Sequence, residues 1–188
     1  MSLKKIVIFV SGSGSSAENI IIRFKEKEEI SIEKIYCNNS KALVLERIKK
    51  YNIKKLVFEN NHLDGDEVLN DLKKIKPNLI VLAGFLKKIP LKILNNFKNK
   101  IINIHPSLLP SYGGKGMYGM NVHKSVIKNK ERKSGFTIHY VDEHYDTGNV
   151  IFQKSINVET ENPNDLAKQI LSLEHKHYPK IIKEILNV

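Results

Sequence analysis

The 188 residues include 31 Lys and Arg against 20 Asp and Glu, a formal net charge of +11, with 41% hydrophobic and 27% charged residues. These proportions fit one soluble globular domain with enough chain for a sizeable core, and no apolar run nears the ~20 residues that cross a bilayer, so no membrane partner is expected. The lone cysteine, Cys37, excludes an internal disulfide and suits a reducing, cytoplasmic compartment.

Residues 4–10 (KKIVIFV) are a β-branched run that predicts a buried first strand rather than a signal peptide, since no small-residue cleavage site follows a long apolar region. Residues 11–16 (SGSGSS) are a glycine/serine loop, after which Ala17, Ile20, Ile21 and Phe24 recur at helical spacing. A second strand is expected at 32–37, a helix at 41–50 and a short strand at 55–58. Residues 64–76 predict a helix with Val68, Leu69, Leu72 and Ile75 on one face, Asp64 as its N-cap and Pro77 ending it. The run LIVL at 79–82 predicts a buried strand, followed by a helix at 90–97 and a strand at 101–104. Beyond a glycine-rich loop at 110–119 (PSYGGKGMYG) come a helix at 120–129 and two strands, near 136–141 and 150–158, able to pair as a hairpin. Asn162 and Pro163 suit the N-cap and first position of a last helix reaching about residue 186, which Pro179 is expected to kink or break.

Strands alternating with helices predict an α/β fold: a single Rossmann-like domain over residues 1–188, with a mostly parallel twisted sheet and helices on both faces. The positive charge is nearly all lysine, with Arg23, Arg47 and Arg132 the three arginines. It is spread among many Asn and Ile residues without interleaved aromatics. That pattern fits A/T-rich codon usage better than a nucleic-acid interface, and no nucleic-acid partner is expected. An anionic small substrate would still benefit from the field.

Three segments carry candidate chemistry. The 11–16 loop joins a strand end to a helix start, so backbone N–H groups and the helix dipole converge where a phosphate could sit. The same residues also make a plain strand-to-helix turn, and they fit neither a dinucleotide fingerprint nor a P-loop. In residues 103–110 (NIHPSLLP), Asn103 and His105 are two apart at a strand end, so they share one side of the sheet. Asn supplies neutral amide donors and His an adjustable proton, a pairing able to hold a developing oxyanion or merely to cap the strand. Residues 139–148 (HYVDEHYDTG) bring Asp142, Glu143, His144 and Asp146 into one turn. A carboxylate there could orient His105, or the segment could be a solvated turn. His139, His144, His175 and His177 lack tight ligand spacing, so no metal is expected, and no Gly-x-Ser-x-Gly elbow supports a serine hydrolase.

SGSGSS after the first strand, LAGF at 82–85, NIHPSLLP and the 142–148 DxxxDTG segment together resemble the folate-dependent formyltransferase family, nearly end to end. The N-terminal loop narrows the likeness to the phosphoribosylglycinamide formyltransferases of de novo purine synthesis. The resemblance implies 10-formyltetrahydrofolate as co-substrate and glycinamide ribonucleotide as acceptor, joined by direct amine attack through a tetrahedral intermediate. It implies that His105 protonates or polarises the formyl oxygen, Asn103 hydrogen-bonds the oxyanion and Asp146 orients His105 and assists proton transfer. The acceptor phosphate would lie on N–H groups of Gly14, Ser15, Ser16 and Ala17, with Glu174 touching the acceptor. Leu86, Lys87, Lys88 and Ile89 would line the pterin pocket with Asn103, and Val141, Asp142 and Asp146 would close over it. Thr137 and His139 would be supporting residues, and the protein a monomer or homodimer.

The sequence departs from the family where Ser16 stands for an Asn, Asp66 for an Arg near the folate and Leu171 for a polar residue near the acceptor phosphate. The 110–119 loop is also longer than usual, while His123 keeps the family position. Methionyl-tRNA formyltransferases share the Asn/His/Asp set but normally carry a further C-terminal domain, and formyltetrahydrofolate deformylases usually begin with a regulatory domain, so both are expected to be less apt. A non-catalytic phosphate-binding module would gain nothing from Asn103 and His105 on one strand end.

Overall fold

Strand β1 (Lys4–Val10) is buried from Ile6 onward because both of its faces are covered. Its side chains alternate between two cores: Ile6, Ile8 and Val10 point into one, Val7 and Phe9 into the other. The computed structural model describes residues 2–188, so Met1, the first residue of the expected domain, lies outside them.

Around β1 lie β2 (Ile30–Cys37), β3 (Lys55–Val57), β4 (Leu79–Leu82), β5 (Ile101–His105), β6 (Lys133–Tyr140) and β7 (Val150–Asn157). They form one seven-stranded sheet in the order β3-β2-β1-β4-β5-β6-β7. The pairs from β3 to β5 are parallel, while β5–β6 and β6–β7 are antiparallel, so the expected mixed sheet with its terminal hairpin is present.

Helices α1 (Ser15–Phe24), α6 (Met120–Lys128) and α7 (Pro163–Leu186) cover one face; α4 (Asp66–Ile75) and α5 (Leu91–Asn96) cover the other. The predicted apolar stripe of α1 (Ala17, Ile20, Ile21 and Phe24) is buried throughout. On the second face Phe9 stacks on Tyr36 at 4.5 Å between centroids and meets Phe85 edge-on at 5.2 Å. Each such side chain contributes ~1.5–3 kcal/mol on burial.

Three local expectations need correction. The 41–50 segment is not one helix: α2 covers only Val44–Arg47 and passes into a 3-10 turn, Ile48–Tyr51. Asp64 does not cap α4. It ends a separate short helix, α3 (Asn60–Asp64), and Gly65 takes the cap position without a side-chain bond. Pro179 does not break α7, which runs unbroken past it. Proline's fixed φ suits a helix, and burial of Tyr178, Ile181 and Ile182 around it offsets the missing N–H. The expected Asn162 cap is present, its side chain accepting from Asn164 N at 2.9 Å.

Candidate active site

The order of strand addition reverses between β1 and β4, and open α/β sheets form their ligand crevice at that switch, beyond the strand C-termini. The ends of β1 and β4 are knitted together there. Ser11 N donates to Gly84 O at 3.0 Å and Leu86 N to Ser11 Oγ at 3.0 Å. Three cavities open around these ends and share walls.

The first, about 450 Å³, runs from Gly12 to Ser16 across to Leu171 and Glu174 of α7, with His123 on its side. Gly14 is left-handed at φ 74, and a Cβ there would collide with Val44, so only glycine lets the loop turn under that residue. The turn leaves the first N–H groups of α1 without intrahelical partners and facing the loop. Gly14, Ser15 and Ser16 line the cavity, whereas the Ala17 side chain is packed in the core and offers only its backbone.

Glu174 is fully desolvated, and that burial pushes its carboxyl up to about 8, so it is neutral over most of the physiological range. Burial, with the nearby His105, holds His123 below the usual histidine range, and its Nδ1 has no hydrogen-bond partner. Both are buried polar groups aimed at a cavity, and such groups ordinarily find a partner in a ligand or water.

The second cavity, about 330 Å³, is lined by Asn103, His105 and Asp146 together with Leu86 and the glycine-rich loop from Gly114 to Gly119. Gly84, Leu86, Ile104, Pro106, Tyr118 and Gly119 belong to both this cavity and the first. His105 Nε2 lies 2.8 Å from Tyr112 O; a carbonyl can only accept, so this nitrogen carries the proton. Nδ1 then faces Asp146 Oδ2 at 3.5 Å. Asp146 is left-handed at φ 60, a conformation Asp tolerates, and Gly114 N donates to its Oδ2 at 2.9 Å.

Asn103 Nδ2 donates to His139 Nε2 at 3.2 Å, while His139 Nδ1 donates to Tyr140 O at 2.8 Å. This arrangement needs a neutral His139. Burial supplies that by lowering its pKa, against smaller opposing effects of the Tyr140 carbonyl and Asp146. The second amide hydrogen of Asn103 is left for a ligand.

The third space is a slot of about 60 Å³ lined by Leu82, Phe85, Lys87, Lys88, Ile89, Asn103, His139, Val141, Asp142, Tyr145 and Asp146. Its outer wall is the 141–149 turn, where Asp142 Oδ1 accepts from His144 N at 3.0 Å and Thr147 Oγ1 at 2.8 Å. Asp142 is thereby committed to shaping the turn.

Most of the residues singled out in the sequence thus meet at one crevice. Thr137 does not line it: fully buried, its hydroxyl donates to Ser107 O at 2.6 Å and accepts from Leu109 N at 3.0 Å, holding the loop behind His105. Asp66 also lies apart, in an exposed ion pair with Lys92 at 2.8 Å. Phe85, Met117, Tyr118 and Tyr145 were not singled out. Their signal in the sequence is weak: Phe85, Met117 and Tyr118 are aromatic or apolar residues next to glycines in loops, and Tyr145 carries none. Among the described residues no cluster of three or more His, Cys, Asp or Glu is placed to hold a metal, and no helix is long and apolar enough to cross a membrane.

Residues 4–182 match the formyl transferase family. The chain is 35% identical over 193 residues to the phosphoribosylglycinamide formyltransferase of Bacillus subtilis (strain 168), covering 99% of this chain and 96% of that protein. It is 36% and 37% identical to chloroplastic phosphoribosylglycinamide formyltransferases of Vigna unguiculata and Arabidopsis thaliana, over 97% of this chain. The chain spans 61% and 65% of the length of those two proteins. The crystal structure of glycinamide ribonucleotide transformylase 1 from Geobacillus kaustophilus superposes with a TM-score of 0.88 at 31% identity, covering 98% and 99% of the two chains.

Proposed function

This chain belongs to the formyl transferase family, and on that premise we propose that it transfers a formyl group from 10-formyltetrahydrofolate to the amine of glycinamide ribonucleotide in purine synthesis. Residues 1–188 act as one catalytic unit, in the cytoplasm, as a monomer or homodimer. The observation that carries the reading is the meeting of Asn103, His105 and Asp146 where a phosphate-sized glycine loop on one side and an apolar slot on the other open into one crevice.

The acceptor fits the first cavity. Its phosphate lies against the N–H groups of Ser15, Ser16 and Ala17, and its sugar or amide reaches Glu174 and His123. Leu171 gives no polar contact, so the backbone nest carries the anion. The folate ring takes the slot together with the adjoining second cavity, which share Phe85, Asn103, Tyr145 and Asp146, and Lys87 and Lys88 stand near for its anionic tail. The folate supplies an activated formyl group.

The residues do the rest. Asn103 donates its free amide hydrogen to the formyl oxygen, where negative charge grows as the amine adds. His105, held by Tyr112 on Nε2, handles the proton at Nδ1. Asp146 stabilises that ring and accepts the proton that the attacking amine nitrogen loses, and this proton is delivered to the folate nitrogen as its bond to the formyl carbon breaks.

The test is purified protein with a 10-formylated folate and glycinamide ribonucleotide, followed by folate absorbance. The expected result is acceptor-dependent deformylation, with none when methionyl-tRNA replaces the ribonucleotide. Absence of acceptor-dependent transfer at micromolar enzyme would sink the proposal.

A further inference from the structure

Tyr112 stands between the proline-bounded segment after β5 and the glycine-rich loop. Its carbonyl accepts from His105 Nε2 at 2.8 Å, and this is the one hydrogen bond of that ring among the described residues. Its backbone is left-handed at φ 56, a conformation a bulky residue rarely adopts unless other contacts hold it. The side chain supplies such contacts: the Tyr112 hydroxyl donates to Glu131 Oε1 at 2.7 Å and accepts from Asn129 Nδ2 at 2.9 Å. Both partners lie in the link between α6 and β6. The carbonyl is therefore fixed from outside the crevice.

The other ionisable groups near the ring act elsewhere. Asp146 faces Nδ1 at 3.5 Å, and His123 and His139 influence the ring only through space. If the carbonyl were free to move, the ring could take the opposite tautomer, with Nδ1–H on Asp146. With the carbonyl held in place, that tautomer sets two lone pairs against each other at Nε2 across 2.8 Å, closer than the 3.5 Å at which the Nε2–H tautomer sets its Nδ1 lone pair opposite Asp146 Oδ2.

We propose that Tyr112, anchored by Glu131 and Asn129, is a positioning residue that locks His105 as its Nε2–H tautomer and so keeps the exchangeable proton site on Nδ1, facing Asp146. This rests on the reading of His105 as the proton-handling group. The hydroxyl anchor is separated from the reacting atoms by the whole length of the Tyr112 residue, and Tyr112 lines neither cavity, so loss of the anchor reaches the ring through the backbone carbonyl.

The experiment combines long-range 15N–1H spectra of the histidine rings in the ligand-free protein with steady-state kinetics. It uses Tyr112→Phe, Glu131→Leu, their double variant, and Glu131→Gln, whose amide oxygen can accept the same bond. The expected results are a single Nε2–H tautomer in the unaltered protein and a mixture in Tyr112→Phe and Glu131→Leu. In these two kcat falls about tenfold with both KM values within about twofold. The double variant is no worse than either single, and Glu131→Gln keeps kcat and tautomer near those of the unaltered protein. An unmixed tautomer in Tyr112→Phe with unchanged kcat overturns the proposal, as does a loss confined to melting temperature. If the unaltered protein transfers no formyl group, the functional reading fails while the spectra still decide the tautomer.

Discussion

Asn103 and His139 face each other across the antiparallel pair β5–β6, and the 3.2 Å contact from Asn103 Nδ2 to His139 Nε2 fixes which edge of the amide meets the crevice. His139→Leu keeps the bulk and removes that acceptor. The amide is then free to rotate, and kcat falls about tenfold while the acceptor KM stays within about twofold. Steady-state kinetics on the variant check this.

His105→Ala removes the proton-handling ring. The expected loss in kcat is about 10²–10⁴-fold, with folate affinity retained because the slot around Ile89 and Val141 does not depend on the ring. Calorimetric titration with a folate analogue separates the two effects.

Asp146→Asn is a clean removal of charge. Asn tolerates the left-handed φ of 60 as well as Asp does, and its amide oxygen can still accept from Gly114 N. The melting temperature should therefore change little, while kcat falls about 10²-fold or more as the proton acceptor is lost. An equally large drop in thermal stability would assign Asp146 to the fold instead.

Glu174→Gln tests the buried carboxyl. The folded protein keeps this proton up to about 8, whereas an exposed glutamate releases it near 4.5. Below 4.5 its contribution is fully present. As pH rises from 4.5 towards 8 the unfolded chain binds fewer protons than the folded one, and stability falls by on the order of a few kcal/mol. The variant should flatten this slope, seen by urea unfolding at pH 5 and pH 8, and should also weaken acceptor binding.

Gly14→Ala places a Cβ against Val44 at a φ that favours glycine. The strain costs ~1–3 kcal/mol and shifts the phosphate loop. Melting temperature should fall, and the acceptor KM should rise more than the folate KM.

The parts legible in the sequence were those governed by short periods. Strand alternation put Asn103 and His105 on one side of β5, and helical spacing gave the buried stripe of α1. Asp146 was legible mainly through family resemblance, because a left-handed turn residue has no periodic signature. Glu174 carried an unused signal: Leu166, Ile170, Glu174 and Tyr178 repeat every four residues along the buried face of α7, so an acid stands in an apolar stripe. The Tyr112–Glu131 bond joins residues 19 apart across the glycine-rich loop and helix α6, and no local pattern encodes it. The split at Asp64 was missed because the neighbouring helices α3 and α4 meet at Gly65 with no side-chain cap.

Helix α7 presents Glu174 to the first cavity and, one turn on, sends the Tyr178 hydroxyl to Leu82 O at 3.0 Å and Ile102 O at 3.4 Å, carbonyls of β4 and β5. Those two strands carry the crevice, yet the residue that clips them together is made long after both. A chain still on the ribosome therefore gains a finished acceptor pocket only when residue 178 has cleared the exit tunnel.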